Sequence, residues 1–164
     1  MATTLAARFA IPGDPTAAFA LVTDPAYVEE VAAATGGEDI EVTVTPSADG
    51  GATVVSARTL PADLPSYAKA LVGDTVRITE TRVIGPADAD GRREGSVTVS
   101  FGGAPVTVEG TLSLAHNNPG SEVVVSMTVK ASVPFVGGKI EKLCAEQIEA
   151  ALAKEEQVAA THLA

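Results

Sequence analysis

Residues 134–138, Pro-Phe-Val-Gly-Gly, mark the point where the sequence changes from one periodicity to another. Before them, apolar and polar residues alternate up to about Val133, which is typical of strands with one buried face. After them, apolar residues recur at helical spacing from about Lys139 to about His162. Proline and paired glycines are common where one element ends and another begins. The pattern predicts one long C-terminal helix after a series of strands.

The predicted C-terminal helix has a single apolar face. At about 100° per residue, that face holds Ile140, Leu143, Cys144, Ile148, Ala151, Leu152, Val158 and Ala159. Burial of the four largest aliphatic side chains in the first half would contribute about 6–12 kcal/mol, at about 1.5–3 kcal/mol each. A whole domain is stable by about 5–15 kcal/mol. We therefore expect this helix to be part of the core.

The N-terminal part predicts one strand followed by two short helices. Residues 3–11 alternate between apolar and polar side chains, as a strand does. Asp14-Pro15 and Asp24-Pro25 each combine a capping side chain with a proline at the first helical position. The second helix is expected to run to about Thr35, where Gly36-Gly37 follows.

From residue 39 onward the period of the sequence is two. Alternating runs are separated by turn sequences rich in Gly, Pro, Asn and Asp, which indicates hairpins in an antiparallel meander. The segment 61–73 interrupts the strands with two prolines and a short apolar run, and we interpret it as a helical turn or flap. The predicted strands cover about 39–45, 52–60, 74–84, 92–101, 105–115 and 121–133.

Composition limits the class of protein. The 164 residues, 46% apolar and 20% charged, suit one globular domain. There are 21 acidic and 11 basic residues, which give a net charge of −10 without any cluster of Lys and Arg to offset it. A nucleic-acid backbone or an anionic membrane would repel this surface. We therefore expect no nucleic-acid partner.

Metal sites, disulfides and targeting segments are not predicted either. Cys144 is the only cysteine, and we expect it to be a small buried core residue. The two histidines, His116 and His162, lack the local spacing of metal ligands, so no metal and no cofactor are expected. The sequence shows no signal peptide and no apolar run of about 18 residues that would span a membrane. The protein is expected to be cytoplasmic.

The order of strand, two short helices, six strands and long C-terminal helix resembles the START-like (SRPBCC) superfamily. This α+β group includes Bet v 1-like proteins and polyketide cyclases. The segment Val133-Pro-Phe-Val-Gly-Gly-Lys-Ile-Glu-Lys-Leu143, with Glu146-Gln147-Ile148, and the opening Asp14-Pro15 and Asp24-Pro25 are most similar to the actinobacterial DUF2505 family of unknown function. The resemblance covers nearly the whole chain, 1–164. It implies a helix-grip fold, a curved antiparallel sheet of about seven strands packed on the C-terminal helix, with an apolar ligand cavity between them.

Polar side chains that share the phase of an apolar face are candidates for polar contacts in such a cavity. Glu80 and Arg82 share the phase of Val76 and Ile78 along their strand. Because an unpaired buried charge is costly, each such residue needs a partner or a ligand. The predicted ligand-binding residues are Arg58, Tyr67, Leu71, Glu80, Arg82, Phe101, Met127, Ile148, Leu152 and Glu155.

Several alternatives stay open at this point. A single bulge would turn the strand residues toward solvent. The sequence has no nucleophile elbow and no phosphate-binding loop, and we assign no catalytic residue. A cyclase or hydratase could nevertheless work with one pocket carboxylate, Glu155 or Glu80. A third possibility is an interaction module whose cavity is filled by its own side chains. The sequence predicts a small apolar molecule as the partner and does not indicate an oligomeric state.

Overall fold

A seven-stranded antiparallel sheet runs in the order β1-β7-β6-β5-β4-β3-β2 in the computed structural model, which describes residues 2–162. The sheet is curved, and the long C-terminal helix packs on it, which confirms the predicted helix-grip architecture. The elements are β1 (Thr3–Ile11), α1 (Pro15–Val22), α2 (Pro25–Ala34), β2 (Glu38–Pro46), β3 (Ala52–Pro61), α3 (Ser66–Val72), β4 (Thr75–Ile84), β5 (Arg93–Phe101), β6 (Val106–Asn117), β7 (Gly120–Ala131) and α4 (Gly137–Ala160).

The two short helices begin where the sequence predicts. The side chain of Asp14 accepts a hydrogen bond from the backbone N–H of Ala17 at 2.8 Å, and that of Asp24 accepts one from Ala26 at 3.0 Å. Each bond satisfies an N–H group that the first helical turn leaves without a partner. Because β1 and β2 are the two edges of the sheet, α1 and α2 connect one edge to the other.

The helix α4 packs against β1, β7 and α2. Ile140, Ile148, Leu152, Val158 and Ala159 are buried as predicted. The buried face differs from the predicted one on one flank. Leu143, Cys144 and Ala151 are only half-buried, whereas Glu141 and Ala145 are buried. The reason is that β1 and β7 cover one flank of the helix. The opposite flank faces a space between the helix and the concave side of the sheet.

Glu141 attaches the start of α4 to two strands. The residue is 2% exposed, and its carboxylate accepts hydrogen bonds from the backbone N–H of Ala131 and the hydroxyl of Thr3, both at 3.0 Å. The Ala131 N–H, opposed in part by burial, holds the pKa of Glu141 below its ordinary value. A Cβ atom on Gly137 would lie 3.0 Å from the carbonyl oxygen of Ala131. Helix and strand therefore approach closely at this glycine.

The predicted flap over residues 61–73 contains the short helix α3. Ala68 is buried, and Tyr67 and Leu71 are partly buried against the core. The backbone N–H of Ala62 donates to the carbonyl of Asp74 at 2.9 Å, which holds the two ends of the segment together. Among residues 2–162, no helix has the length and apolar character that crossing a membrane requires.

Candidate functional site

Two adjoining cavities lie between the sheet and α4. One has a volume of about 260 Å³, and its wall includes all the charged candidates of the sheet and helix; we call it the polar cavity. The other has a volume of about 370 Å³ and lies under α3; we call it the apolar cavity. Five residues belong to the walls of both cavities, namely Thr35, Leu60, Ile78, Phe101 and Gln147. The two spaces therefore form neighbouring compartments of one site.

Strand alternation places the charged side chains of the polar cavity. Along β3 and β4, Ser56 pairs with Glu80 and Arg58 pairs with Ile78, without a bulge anywhere in the pairing. Arg58 is therefore diagonal to Glu80 on the same face of the sheet. Arg82 follows two residues after Glu80 and points to the same side. Arg58, Glu80 and Arg82 therefore share one face of the sheet, as the alternation along the two strands predicts.

Glu155 is the centre of a buried ion-pair network. The residue is 3% exposed, and both of its carboxylate oxygens accept hydrogen bonds from Arg82, at 2.7 Å from Nη2 and 3.0 Å from Nη1. The hydroxyl of Tyr27 in α2 donates to Oε2 of Glu155 at 3.2 Å. Arg82 Nε lies 3.1 Å from Glu80 Oε1. Arg82 thus bridges two carboxylates and connects α4 with β4, while the Tyr27 hydroxyl connects α2 with α4 through Glu155.

Burial and the neighbouring charges shift the pKa values of Arg82 and Tyr27. Burial alone would lower the pKa of Arg82, but the carboxylates of Glu155 and Glu80 outweigh it and raise the pKa. Burial, and then the negative charge of Glu155, raise the pKa of the Tyr27 phenol. Arg82 is therefore a permanent cation, and Tyr27 is a neutral hydrogen-bond donor at neutral pH.

Arg58 differs from Arg82 because it has no partner. Its Nε is buried without a hydrogen-bond acceptor, and within residues 2–162 the side chain makes no hydrogen bond or salt bridge. Burial lowers the pKa of Arg58; Glu80 opposes that effect, and the nearby cation Arg82 adds to it. A Cβ atom on Gly37 would lie 2.8 Å from Cδ of Arg58, so the side chain lies directly against the link between α2 and β2.

The structure brings together eight of the ten predicted site residues. Arg58, Glu80, Arg82, Ile148, Leu152 and Glu155 are on the wall of the polar cavity, Leu71 is on that of the apolar cavity, and Phe101 is on both. Tyr67 packs against the core outside both walls, with Nζ of Lys139 5.9 Å from its ring centroid. Met127 is 2% exposed in β7, opposite Leu5 of β1, and is likewise outside the walls.

Sequence reasoning missed two contacts of this site. Tyr27 lies four residues before Val31 in α2, so the two share a side of the helix, and that spacing could have indicated an inward-facing tyrosine. The ring of His162 meets the Tyr27 ring edge-on at 5.6 Å, and its Nε2 lies 2.7 Å from Glu30 Oε1. These two contacts hold His162 against α2.

Cys144 lies on the wall of the apolar cavity and is half-buried rather than fully buried. Burial, with a smaller effect of the charge of Glu141, raises the pKa of its thiol to about 11. The thiol is therefore almost entirely protonated at neutral pH, and a protonated thiol is a weak nucleophile. Among the described residues, no group of three or more His, Cys, Asp or Glu side chains is arranged to hold a metal ion.

A curved antiparallel sheet around a C-terminal helix defines a Bet v 1-like fold, and solved structures of this class match the whole chain. The protein TTHA0849 from Thermus thermophilus superposes with a TM-score of 0.61 at 20% identity, over 97% of this chain and 98% of that one. Ara h 8.0201 gives 0.59 at 18% identity, over 99% and 100%. Norcoclaurine synthase from Thalictrum flavum gives 0.58 at 15% identity, over 99% and 88%. At these identities the similarity shows the fold alone.

The chain belongs to the family DUF2505, described as a protein of unknown function, whose model matches residues 6–163. This confirms the family that the sequence resembles. The uncharacterized protein Rv0481c of Mycobacterium tuberculosis is 37% identical over 62 residues. The match covers 34% of this chain and about a third of the relative, 36% of its length.

Proposed function

We propose that this protein binds a small, mainly apolar molecule in the space between the sheet and α4. The observation that carries the proposal is the pair of adjoining cavities, of about 260 and about 370 Å³. Ligand sites in proteins are typically apolar clefts of about 300–1,000 Å³ with a few polar groups that orient the ligand. The apolar walls together with the few charged side chains around Glu155 have this character.

A second class of function, a cyclase or hydratase, has less support. Acid–base catalysis needs a carboxylate that can reach the substrate and exchange a proton with it. Both oxygens of Glu155 are bound by Arg82, and Oε1 of Glu80 lies against the same arginine. One of the structural neighbours is named a synthase, but at 15% identity only its fold is comparable. A module with a filled core is disfavoured by the volume between sheet and helix.

Native mass spectrometry of gently purified protein tests the proposal first. We expect an additional mass that disappears on denaturation, and an organic extract of the same sample then gives the chemical class of the ligand. Direct titration with Nile red, a neutral dye that fluoresces in apolar surroundings, does not depend on a copurified ligand. We expect saturable binding with one site per chain.

A matched pair of variants tests where the ligand binds. Ala151 is on the wall of the polar cavity, whereas Ala153, two residues further along α4, is exposed and outside both walls. Ala151→Phe should fill part of the cavity and weaken Nile red binding by about tenfold or more, because the added ring occupies space that the ligand needs. Ala153→Phe should leave binding unchanged. Equal affinity of both variants and the unmodified protein would contradict the proposed site.

A further inference from the structure

We propose that the ligand carries an anionic carboxylate and that Arg58 binds it. The inference rests on the proposed function and adds to it the chemical class of the ligand: a monocarboxylate with an apolar body. Three observations support it: the unpartnered guanidinium of Arg58, the balance of charge around the polar cavity, and the arrangement of the two compartments.

Two arginines are described on the wall of the polar cavity, and Arg58 is the one whose guanidinium has no hydrogen-bond partner among the described residues. A guanidinium has five N–H donors and no acceptor. Arg82 donates to both oxygens of Glu155, and its Nε lies 3.1 Å from Glu80 Oε1 in an ion pair, so both carboxylates of the network are already paired with this arginine. Arg58 is half-buried, its Nε has no acceptor, and its side chain is on the wall of the same cavity. A partly buried cation without a partner is costly to the fold, and an anionic ligand would offset that cost.

The charge around the polar cavity also favours an anion. The charged residues on its wall are three cations, Arg58, Arg82 and Lys154, and two anions, Glu80 and Glu155. Their sum is one positive charge, although the protein as a whole carries −10. The excess positive charge comes from Lys154, which is exposed at the edge of the cavity. Because a surplus of positive charge near a cavity attracts anions, the wall favours an anionic head group over a cationic one.

The two compartments divide the ligand into a head and a body. The described wall of the apolar cavity contains one charged residue, Asp63, and this residue is exposed at the rim. The other walls there are mainly aliphatic, including Leu64, Leu71 and Leu143. An apolar body fits this compartment. The carboxylate then faces Arg58, because an arginine can hold the two oxygens of a carboxylate with parallel hydrogen bonds.

Two probes that differ only in their head group test the inference: decanoate and decanol, each titrated against bound Nile red at pH 7. We expect the unmodified protein to bind decanoate about tenfold or more tightly than decanol, since hydrogen bonds to a charged group are the stronger ones. Arg58→Met should abolish this preference, because it lowers the affinity for decanoate much more than the affinity for decanol. Arg58→Lys should keep part of the preference, because it retains the charge without the planar fork.

Arg8→Met is the matched control, because the Arg8 side chain is 71% exposed and outside both cavity walls. It should keep the full preference for decanoate. Equal affinities for decanoate and decanol in the unmodified protein would overturn the inference, and so would an undiminished preference in Arg58→Met. In either case, Nile red binding that is weakened by Ala151→Phe would still support the proposed function. Failure of the dye and of both probes to bind would overturn both. Circular dichroism of each variant verifies that it is folded.

Discussion

The buried ion pair between Arg82 and Glu155 allows a quantitative test of the network that shapes the polar cavity. The two side chains are 13% and 4% exposed and are joined by two hydrogen bonds of 2.7 and 3.0 Å. Removal of one partner of such a pair costs about 3–5 kcal/mol, because the other charge stays buried without compensation. We therefore expect both single substitutions, Arg82→Met and Glu155→Leu, to be strongly destabilising.

The surroundings of each partner refine the magnitudes. Without Glu155, Arg82 keeps the carboxylate of Glu80 at 3.1 Å, so Glu155→Leu should cost about 3 kcal/mol, the lower end of that range. Without Arg82, the neutral hydroxyl of Tyr27 at 3.2 Å is the hydrogen-bond partner that Glu155 keeps, and the arginine no longer separates its charge from the like charge of Glu80. Arg82→Met should therefore cost about 4–5 kcal/mol.

The double variant distinguishes a coupled pair from two independent residues. Arg82→Met/Glu155→Leu leaves no charge of the pair buried, so its cost should be below that of Arg82→Met alone, which corresponds to a coupling energy of at least about 3 kcal/mol. Urea unfolding followed by circular dichroism gives the free energies of unfolding. The exposed pair Arg8–Glu122, at 3.5 Å, provides the control, and Arg8→Met should cost less than about 1 kcal/mol. Single costs below about 1 kcal/mol, or strictly additive costs, would refute the reasoning.

Three further predictions concern other parts of the molecule. Alkylation of Cys144 by iodoacetamide at pH 8 should be about a hundredfold slower than that of an ordinary thiol, and its rate should rise up to about pH 11, because burial raises the thiol pKa. Glu141→Gln should lower the melting temperature at pH 7, and the difference should narrow below about pH 4.5, where the stabilising ionised form is lost as the pH falls through the depressed folded-state pKa. Gly37→Ala should cost about 1–3 kcal/mol, because its Cβ would lie 2.8 Å from the backbone carbonyl oxygen of Ala32 and 2.8 Å from Cδ of Arg58. It should weaken decanoate binding more than decanol binding, because the Arg58 side chain has to shift.

Each of these predictions has an outcome that contradicts it. Alkylation of Cys144 at the rate of a free thiol would contradict its burial. A stability difference for Glu141→Gln that stays constant down to about pH 3 would show that the ionised carboxylate contributes nothing. For Gly37, the control is Gly103→Ala, since a Cβ atom there meets nothing within 4 Å. Equal stability of the two alanine variants would mean that Ala32 and Arg58 do not approach Gly37 as closely as we describe.

The fold follows largely from local signals in the sequence. Proline and glycine mark the element boundaries, and Asp14 and Asp24 cap their helices as their positions indicate. The inward phase of Glu80 and Arg82 follows from alternation, because β3 and β4 pair without a bulge. The inward orientation of Glu155 follows from the helical spacing of the apolar residues around it. These features depend on periodicities of about two and 3.6 residues, which a single sequence displays.

The contacts that the sequence did not reveal are tertiary. The partner of Glu155 depends on how α4 crosses the sheet, so neither Arg82 nor Tyr27 could be assigned to it in advance. The sequence does not distinguish Glu141 from a surface residue of the helix, because its two hydrogen-bond donors, Ala131 and Thr3, belong to other elements. The walls of a cavity are equally hidden, because a half-buried Cys144 and a fully buried one give the same apolar pattern.

A crystal structure of the protein with bound decanoate tests the central claim most directly. Our account predicts electron density for the alkyl chain between the sheet and α4, in the apolar cavity, with the carboxylate at the guanidinium of Arg58. Density for decanoate only on the outer surface, with side chains filling the space between sheet and helix, would contradict the account.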